Sequence, residues 1–189
     1  GTQDNFSMCG PSRTTHTLGI RTSDWYMTLG GDGFTSRHDQ GDPNIVYATL
    51  WEGRQGPWEN AAWGGLGDTL FKSTDGGTTW RALKNGLPAA TGQINLAISP
   101  SQPRRLYATV ATTGVGIYRS DDGGETWVQI TQDNRPAGRI GGGDLPVPIA
   151  HPTNPDIVIM ASTVSWKTTD GGKTWASFKG APGGEDYQG

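Results

Sequence analysis

The residues of this chain best able to do chemistry are carboxylates set among glycines and tryptophans. Asp32 lies in Gly30-Gly31-Asp32-Gly33-Phe34, where the flanking glycines would let a substrate approach the backbone. Its candidate partners are Glu52, Glu59 and Asp144, the last in Gly141-Gly142-Gly143-Asp144. Two carboxyl groups roughly 5–10 Å apart can split a glycosidic bond, one protonating the leaving oxygen while the other attacks or activates water. Chain position alone sets no two of these acids at that separation. Taken singly, Asp32 reads more readily as a turn residue.

A second group of candidates clusters in residues 51–65, where Trp51, Glu52, Arg54, Trp58, Glu59 and Trp63 fall within thirteen positions. Indole faces stack on the C–H faces of pyranose rings, and Arg and Glu can donate to or accept from hydroxyls. Trp51, Arg54, Trp58, Glu59 and Trp63 are therefore a candidate ligand-binding set. The competing reading packs the three indoles against neighbouring elements or a partner domain. What makes the stretch conspicuous is its placement. Tyr47 precedes Asp75 by 28 residues, whereas Tyr107 precedes Asp122 by only 15. An insertion between two strands projects from one end of a sheet, and loops on rigid scaffolds commonly carry binding.

The scaffold is announced by an octet written three times: Ser73-Thr74-Asp75-Gly76-Gly77-Thr78-Thr79-Trp80, Ser120-Asp121-Asp122-Gly123-Gly124-Glu125-Thr126-Trp127 and Thr168-Thr169-Asp170-Gly171-Gly172-Lys173-Thr174-Trp175. Asp75, Asp122 and Asp170 stand 47 and 48 residues apart, a period that marks a stacked repeat. The Asp carboxylate can accept backbone N–H groups of its own turn, and Gly77, Gly124 and Gly172 fall where positive φ is expected. Trp80, Trp127 and Trp175 are expected to open the outgoing strand, and each can bury about 150–250 Å². These aspartates look acidic but read as turn braces, not catalysts.

A Pro-bearing turn leading into a strand recurs on the same beat, at residues 42–48, 100–108 and 152–159. The middle repeat predicts four strands, Ile94–Ile98, Leu106–Val110, Gly116–Ser120 and Thr126–Ile130. The third predicts Asp144–Ala150, Ile157–Ala161, Ser165–Thr168 and Thr174–Phe178. Four strands per repeat describe a propeller blade. No run of residues carries a helical period. The predicted fold is all-β: a propeller of four-stranded antiparallel blades, an incomplete ring with about three to four blades present.

The octet is identified as the Asp-box, or bacterial neuraminidase repeat. Among Asp-box propellers the chain resembles sortilin-like and xyloglucanase-like bacterial proteins, over roughly residues 41–180. The segments 1–5, 30–34 and 181–187 also resemble stretches of those proteins, and 30–34 is similar to an acid-bearing loop of xyloglucanase-type hydrolases. In such families the boxes sit on the outer rim of a blade, away from the substrate face. Sialidase chemistry is not implied. No arginine spacing suggests the carboxylate-clamping triad, and the Arg-Ile-Pro segment that precedes the boxes in sialidases is missing.

Composition bounds the rest. With 30 Gly, 12 Pro and 8 Trp in 189 residues, this is a turn-dense β protein. A net charge of −3 with scattered Lys and Arg offers no stripe for nucleic acid, and no apolar run is long enough to span a membrane. Cys9 alone can complete neither a disulfide nor a zinc site. No cofactor is expected, although Asp133, Asn134 and Asp144 near turns would allow a structural Ca²⁺.

The expected organisation is a partial blade or separate segment at 1–40, Asp-box blades at 41–88, 89–133 and 134–180, and the start of another at 181–189. A change of segment is expected within 37–42, and the chain is expected to be part of something longer. The favoured function is a non-catalytic scaffold, secreted, periplasmic or at the cell surface, binding a protein or a polysaccharide. A fragment of a xyloglucanase-like glycoside hydrolase acting on β-glucans is the alternative. An assembly subunit, whose open blade edge is capped by another polypeptide, is a third possibility.

Overall fold

The computed structural model describes residues 7–11, 13–29, 36–50, 53–54, 62–63, 70–112, 114–133, 135–138, 145–162 and 164–179. The chain divides into two compact units, Gly1–Ser36 and Arg37–Gly189. In the first, strand β1 (Ser7–Cys9) pairs antiparallel with β2 (Tyr26–Leu29) after a short 3-10 turn at Thr22–Asp24. Arg21 and Asp24 close that turn through a 3.1 Å ion pair.

The second unit is three four-stranded antiparallel sheets in sequence order. The first comprises β3 (Ser36–His38), β4 (Val46–Thr49), β7 (Leu70–Ser73) and β8 (Arg81–Ala82), with the pair β5 (Gly53–Arg54) and β6 (Ala62–Trp63) inserted between β4 and β7. The second is β9 (Ile94–Ile98), β10 (Leu106–Ala111), β11 (Val115–Ser120) and β12 (Val128–Gln129). The third is β13 (Val147–Ala150), β14 (Val158–Ala161), β15 (Ser165–Thr168) and β16 (Ala176–Lys179). Each sheet is an antiparallel meander, interrupted in the first blade by the β5–β6 pair between β4 and β7. The fold is an all-β propeller of four-stranded blades. Among the described residues there is no α-helix.

The core lies between blades. Tyr47, Leu70 and Leu83 of the first blade enclose Ile94, Leu96, Leu106, Val110 and Trp127 of the second. Tyr107 and Ile117 of the second meet Val158, Met160 and Trp175 of the third. The central strand β10 is buried along its whole length, with both faces covered by blades. Apolar burial at about 25 cal/mol per Å² makes these junctions the main source of stability.

The last strand of each blade departs from the sequence reading. The tryptophan does not open it: β8, β12 and β16 begin at Arg81, Val128 and Ala176. The indole N–H of each tryptophan instead donates back to a glycine carbonyl of its own turn, which holds that residue outside the ladder. The strand predicted from Asp144 begins at Val147, and Asp144 itself lies outside the described residues. Strand β11 starts one residue earlier than predicted and β10 runs one residue further, because Ala111 and Val115 pair across a short turn.

Candidate functional site

Each octet folds into the same hydrogen-bonded knot. Ser73 Oγ donates to Asp75 Oδ1 at 2.7 Å and accepts the Gly77 N–H at 2.8 Å. Asp75 Oδ1 also accepts the Thr79 N–H at 2.8 Å, and Oδ2 accepts the Thr79 hydroxyl at 2.6 Å. Asp122 and Asp170 repeat both contacts with Thr126 and Thr174, again with hydroxyl donors at 2.6 Å. The knot requires two consecutive left-handed residues, Gly76–Gly77, Gly123–Gly124 and Gly171–Gly172, with φ between 71° and 94°. The first of each pair donates its N–H to the carbonyl ahead of the blade's second strand, that of Asn44, Arg104 or Asp156.

These bonds set the acidity of the carboxyls. The hydroxyl and backbone donors of Thr79, with Ser73, lower Asp75 to about 2. Desolvation raises Asp122, but donation from Thr126 and Ser120 outweighs it and leaves the group at about 2. Thr174 and Thr168 bring Asp170 to about 2 against a smaller effect of burial. A carboxyl with both oxygens engaged and held ionised is a poor proton donor and a poor nucleophile. The arrangement is a brace.

The second layer joins blades. Lys72 Nζ donates to the Gly123 carbonyl at 2.8 Å, and the Tyr47 hydroxyl donates to the same oxygen at 2.9 Å. Arg119 Nη1 repeats the contact one blade on, donating to Gly171 O at 3.1 Å. Gly124 lies so close to Leu83 that a Cβ would come within 2.8 Å of Leu83 Cδ1, and a Cβ on Gly172 would overlap Ile130. Ion pairs reinforce the rim: Glu125 receives Lys72 at 3.1 Å and also Arg81, while Arg105 bridges Asp121 at 2.6 Å and Asp156 at 2.5 Å. Gly124 and Gly172 were singled out from sequence as turn glycines, whereas Lys72, Leu83, Arg119 and Ile130 were not. They occupy matching register positions in successive repeats, so aligning the repeats on their boxes would have found them.

The boxes and the insertion leave the blades at opposite ends. Val46 pairs with Ser73 at the box end of the first blade, and Thr49 pairs with Leu70 at the other, where the chain departs into residues 51–69. Within that departure Gly53 pairs with Trp63 and Arg54 with Ala62. The equivalent position of the second blade is the Ala111–Val115 turn. At the same end of the third blade the Arg135 guanidinium lies 4.8 Å from the centroid of the Trp166 ring. Asp133 orients Arg135 through a 2.7 Å ion pair, and Trp166 Nε1 is buried with no hydrogen-bond partner among the described residues. This Arg–Trp stack was also missed, because nothing in sequence brings residue 135 to residue 166.

Of the residues singled out for chemistry, Asp32, Trp51, Glu52, Trp58, Glu59 and Asp144 lie outside the described residues, as does Asn134. Arg54 and Trp63 are placed only as backbone, in β5 and β6. Asp133, named for a structural cation, accepts from Arg135. Among the described residues no group of three or more His, Cys, Asp or Glu could hold a metal ion. No described helix is long and apolar enough to cross a membrane.

With this geometry in hand, comparison with known proteins is informative. The family model described as "Sortilin, neurotensin receptor 3" (Sortilin-Vps10) matches residues 68–182, which hold all three boxes. The chain belongs to the Sortilin-Vps10 family. It is also 28% identical over 153 residues to a "Probable oligoxyloglucan-reducing end-specific xyloglucanase" of Neosartorya fischeri, covering 76% of this chain and 17% of that protein. A xyloglucanase of Paenibacillus sp is 27% identical over 171 residues, covering 77% of this chain and 16% of its own length. The chain thus spans about a sixth of these two relatives. Among solved structures, an ancestral GH74 enzyme superposes with a TM-score of 0.58 at 17% identity, covering 97% of this chain and 27% of that one. The GH74 xyloglucanase of Xanthomonas campestris gives 0.50 at 22% identity, covering 79% and 23%. At these identities the structural likeness speaks for the propeller fold alone.

Proposed function

We propose that this chain is the polysaccharide-binding propeller part of a secreted or cell-envelope protein, binding a β-glucan of the xyloglucan type without cleaving it. The observation that carries the reading is the broken repeat. Three blades follow one plan, and the departure from it is the Trp-rich insertion, at the end of the blades where Arg135 stacks on Trp166. In this reading Trp51, Trp58 and Trp63 stack on pyranose rings while Arg54 and Glu59 hydrogen-bond hydroxyls. The xyloglucanase relatives support the choice of polysaccharide over a protein partner.

The proposed division places blades at 41–88, 89–133 and 134–180, with 1–40 a separate segment and 181–189 leading into a further blade. Affinity electrophoresis of the whole chain in xyloglucan gels tests the function. Retarded migration, lost in W58A and W63A, is expected. Unchanged mobility of the wild-type chain in xyloglucan and in other β-glucans would refute it.

The xyloglucanase activity of the relatives favours one second reading, a hydrolase segment in which Asp32 works with Glu52, Glu59 or Asp144. Reducing ends released from xyloglucan by the wild-type chain and not by Asp32→Asn would establish it. Inactivity of the wild type on xyloglucan and other β-glucans would leave the binding reading in place.

A further inference from the structure

Asn85 and Gly86 lie in the linker between the first and second blades, after β8 and before β9, and form the only Asn–Gly pair in the sequence. The Leu87 N–H donates to the Lys84 carbonyl at 3.0 Å, which makes them the two central residues of a tight turn. Gly86 takes a φ of 86°, and a Cβ on it would overlap the Trp127 carbonyl oxygen. The Trp127 N–H in turn donates to the Asn85 carbonyl at 2.9 Å. Conformation and close approach therefore both require glycine at position 86. The junction thereby fixes the residue that leaves the preceding asparagine most open to attack by its own backbone.

That attack joins a backbone amide nitrogen to the carboxamide carbon of the residue before it. Three conditions favour it: a following residue without a Cβ, an amide N–H held in no hydrogen bond, and a carboxamide free to turn. Asn85 meets all three. Both residues are exposed, and among the described residues neither the Asn85 side chain nor the Gly86 N–H makes a hydrogen bond. The other described asparagines each fail. Asn44 Nδ2 donates to Asp42 Oδ1 at 3.1 Å, and the next residue, Ile45, is β-branched and bonded through its N–H to the Asp42 carbonyl at 3.0 Å. Asn95 is buried, and its Nδ2 donates to the Leu145 carbonyl at 2.7 Å. Asn154 precedes Pro155, which has no N–H.

We propose that Asn85 is a site of spontaneous deamidation, a modification that ages the junction between the first two blades. The Gly86 nitrogen bonds to Asn85 Cγ, the Cγ–Nδ2 bond breaks, and Nδ2 leaves as ammonia with the proton that the Gly86 nitrogen gives up. The product is a cyclic succinimide, which water opens at either carbonyl. Opening at Cγ restores the ordinary backbone with an aspartate at position 85. Opening at the main-chain carbonyl leaves an isoaspartate, in which the chain runs through the former side chain and gains a methylene. Nothing is oxidised or reduced. Either product carries a new negative charge. The isoaspartyl form also displaces the carbonyl that accepts the Trp127 N–H, in a turn with no room beside Trp127, so the junction loosens.

The test is peptide mapping of the folded chain after incubation in ¹⁸O-enriched water at mildly alkaline pH, with proteolysis in acid to suppress further reaction. Circular dichroism checks that the chain stays folded throughout. The expected result is ¹⁸O incorporation at Asn85, as paired aspartyl and isoaspartyl peptides, while Asn44, Asn95 and Asn154 stay unmodified. N85Q should lose the signal, because glutamine must close a larger and slower-forming ring. In the modified protein, separated by its extra charge, the Trp127 backbone amide should exchange faster than in the unmodified chain. An Asn85 that stays intact in the folded chain, through an incubation that converts it in the urea-unfolded chain, would overturn the proposal. Equal reaction at the other three asparagines, or incorporation at position 85 that persists in N85Q, would do the same. Unchanged exchange at Trp127 in the modified protein would overturn the loosening.

Discussion

Two regions of this molecule share a sequence and a local fold yet differ in what surrounds them. The Asp75 box and the Asp122 box make the same hydrogen bonds with nearly the same distances. Trp127, however, is buried against Tyr47 and Leu83 of the preceding blade, while Trp80 stays 43% exposed. The turn is thus a local object, closed by its own Ser, Asp and Thr. The indole is a tertiary object, buried only where another blade meets it.

Substitutions at equivalent positions of the two boxes can break that comparison. Trp127→Ala is expected to cost about 3–5 kcal/mol, the loss of a large buried aromatic, whereas Trp80→Ala should cost under about 1 kcal/mol. Urea denaturation of both variants checks the contrast, and equal losses would remove it. Next in size is Gly172→Ala against Gly77→Ala. Both glycines have φ of 94° and pay the same backbone strain, but only a side chain at Gly172 overlaps Ile130. Gly172→Ala should therefore be worse by about 1–3 kcal/mol, and Ile130→Ala in the same chain should recover part of the difference. Lys72→Met probes the grip on the Gly123 carbonyl and should cost about 1–3 kcal/mol, because a buried acceptor loses its cationic donor.

The smallest expected effect is on pH, and it should be the same in both regions because the brace is local. Asp75, Asp122 and Asp170 are each lowered to about 2 by their threonine and serine donors. A carboxyl whose pKa falls on folding contributes stability that is fully present above its ordinary value near 4. That contribution is lost as pH drops through the folded value. The urea midpoint should therefore fall between about pH 4 and pH 2, and less steeply in Asp122→Asn. An unchanged slope in that variant would remove Asp122 from the balance.

Fold and candidate site differed in how legible they were. The period of the Asp-Gly-Thr-Trp octets specifies a four-stranded repeat, because a turn that closes on its own side chains is written in consecutive residues. Junction residues such as Lys72, Leu83 and Ile130 are not written that way. Lys72 lies on β7 while Leu83 and Ile130 lie just past β8 and β12, and all three acquire meaning only when the next repeat's glycines arrive. The stack of Arg135 on Trp166 was hidden for the same reason, since thirty residues and two strands separate its partners. The length of the 51–65 insertion was plain from sequence, but the chemistry assigned to Asp32, Glu52 and Asp144 depends on separations across blades. Local spacing carries no such information. Trp80 illustrates the converse: its octet is intact, yet no feature of the octet says whether a neighbour will cover the indole.

The central claim is that a box acquires its burial from the blade before it, not from its own sequence. Hydrogen exchange of the indole N–H groups in the ¹⁵N-labelled chain, followed at low concentration, tests it most directly. All three indoles donate to a glycine carbonyl at 2.9–3.0 Å, so their local bonding is matched. The expected result is that Trp127 and Trp175 exchange only through large-scale opening of their junctions while Trp80 exchanges far faster. Equal protection of all three would contradict the account.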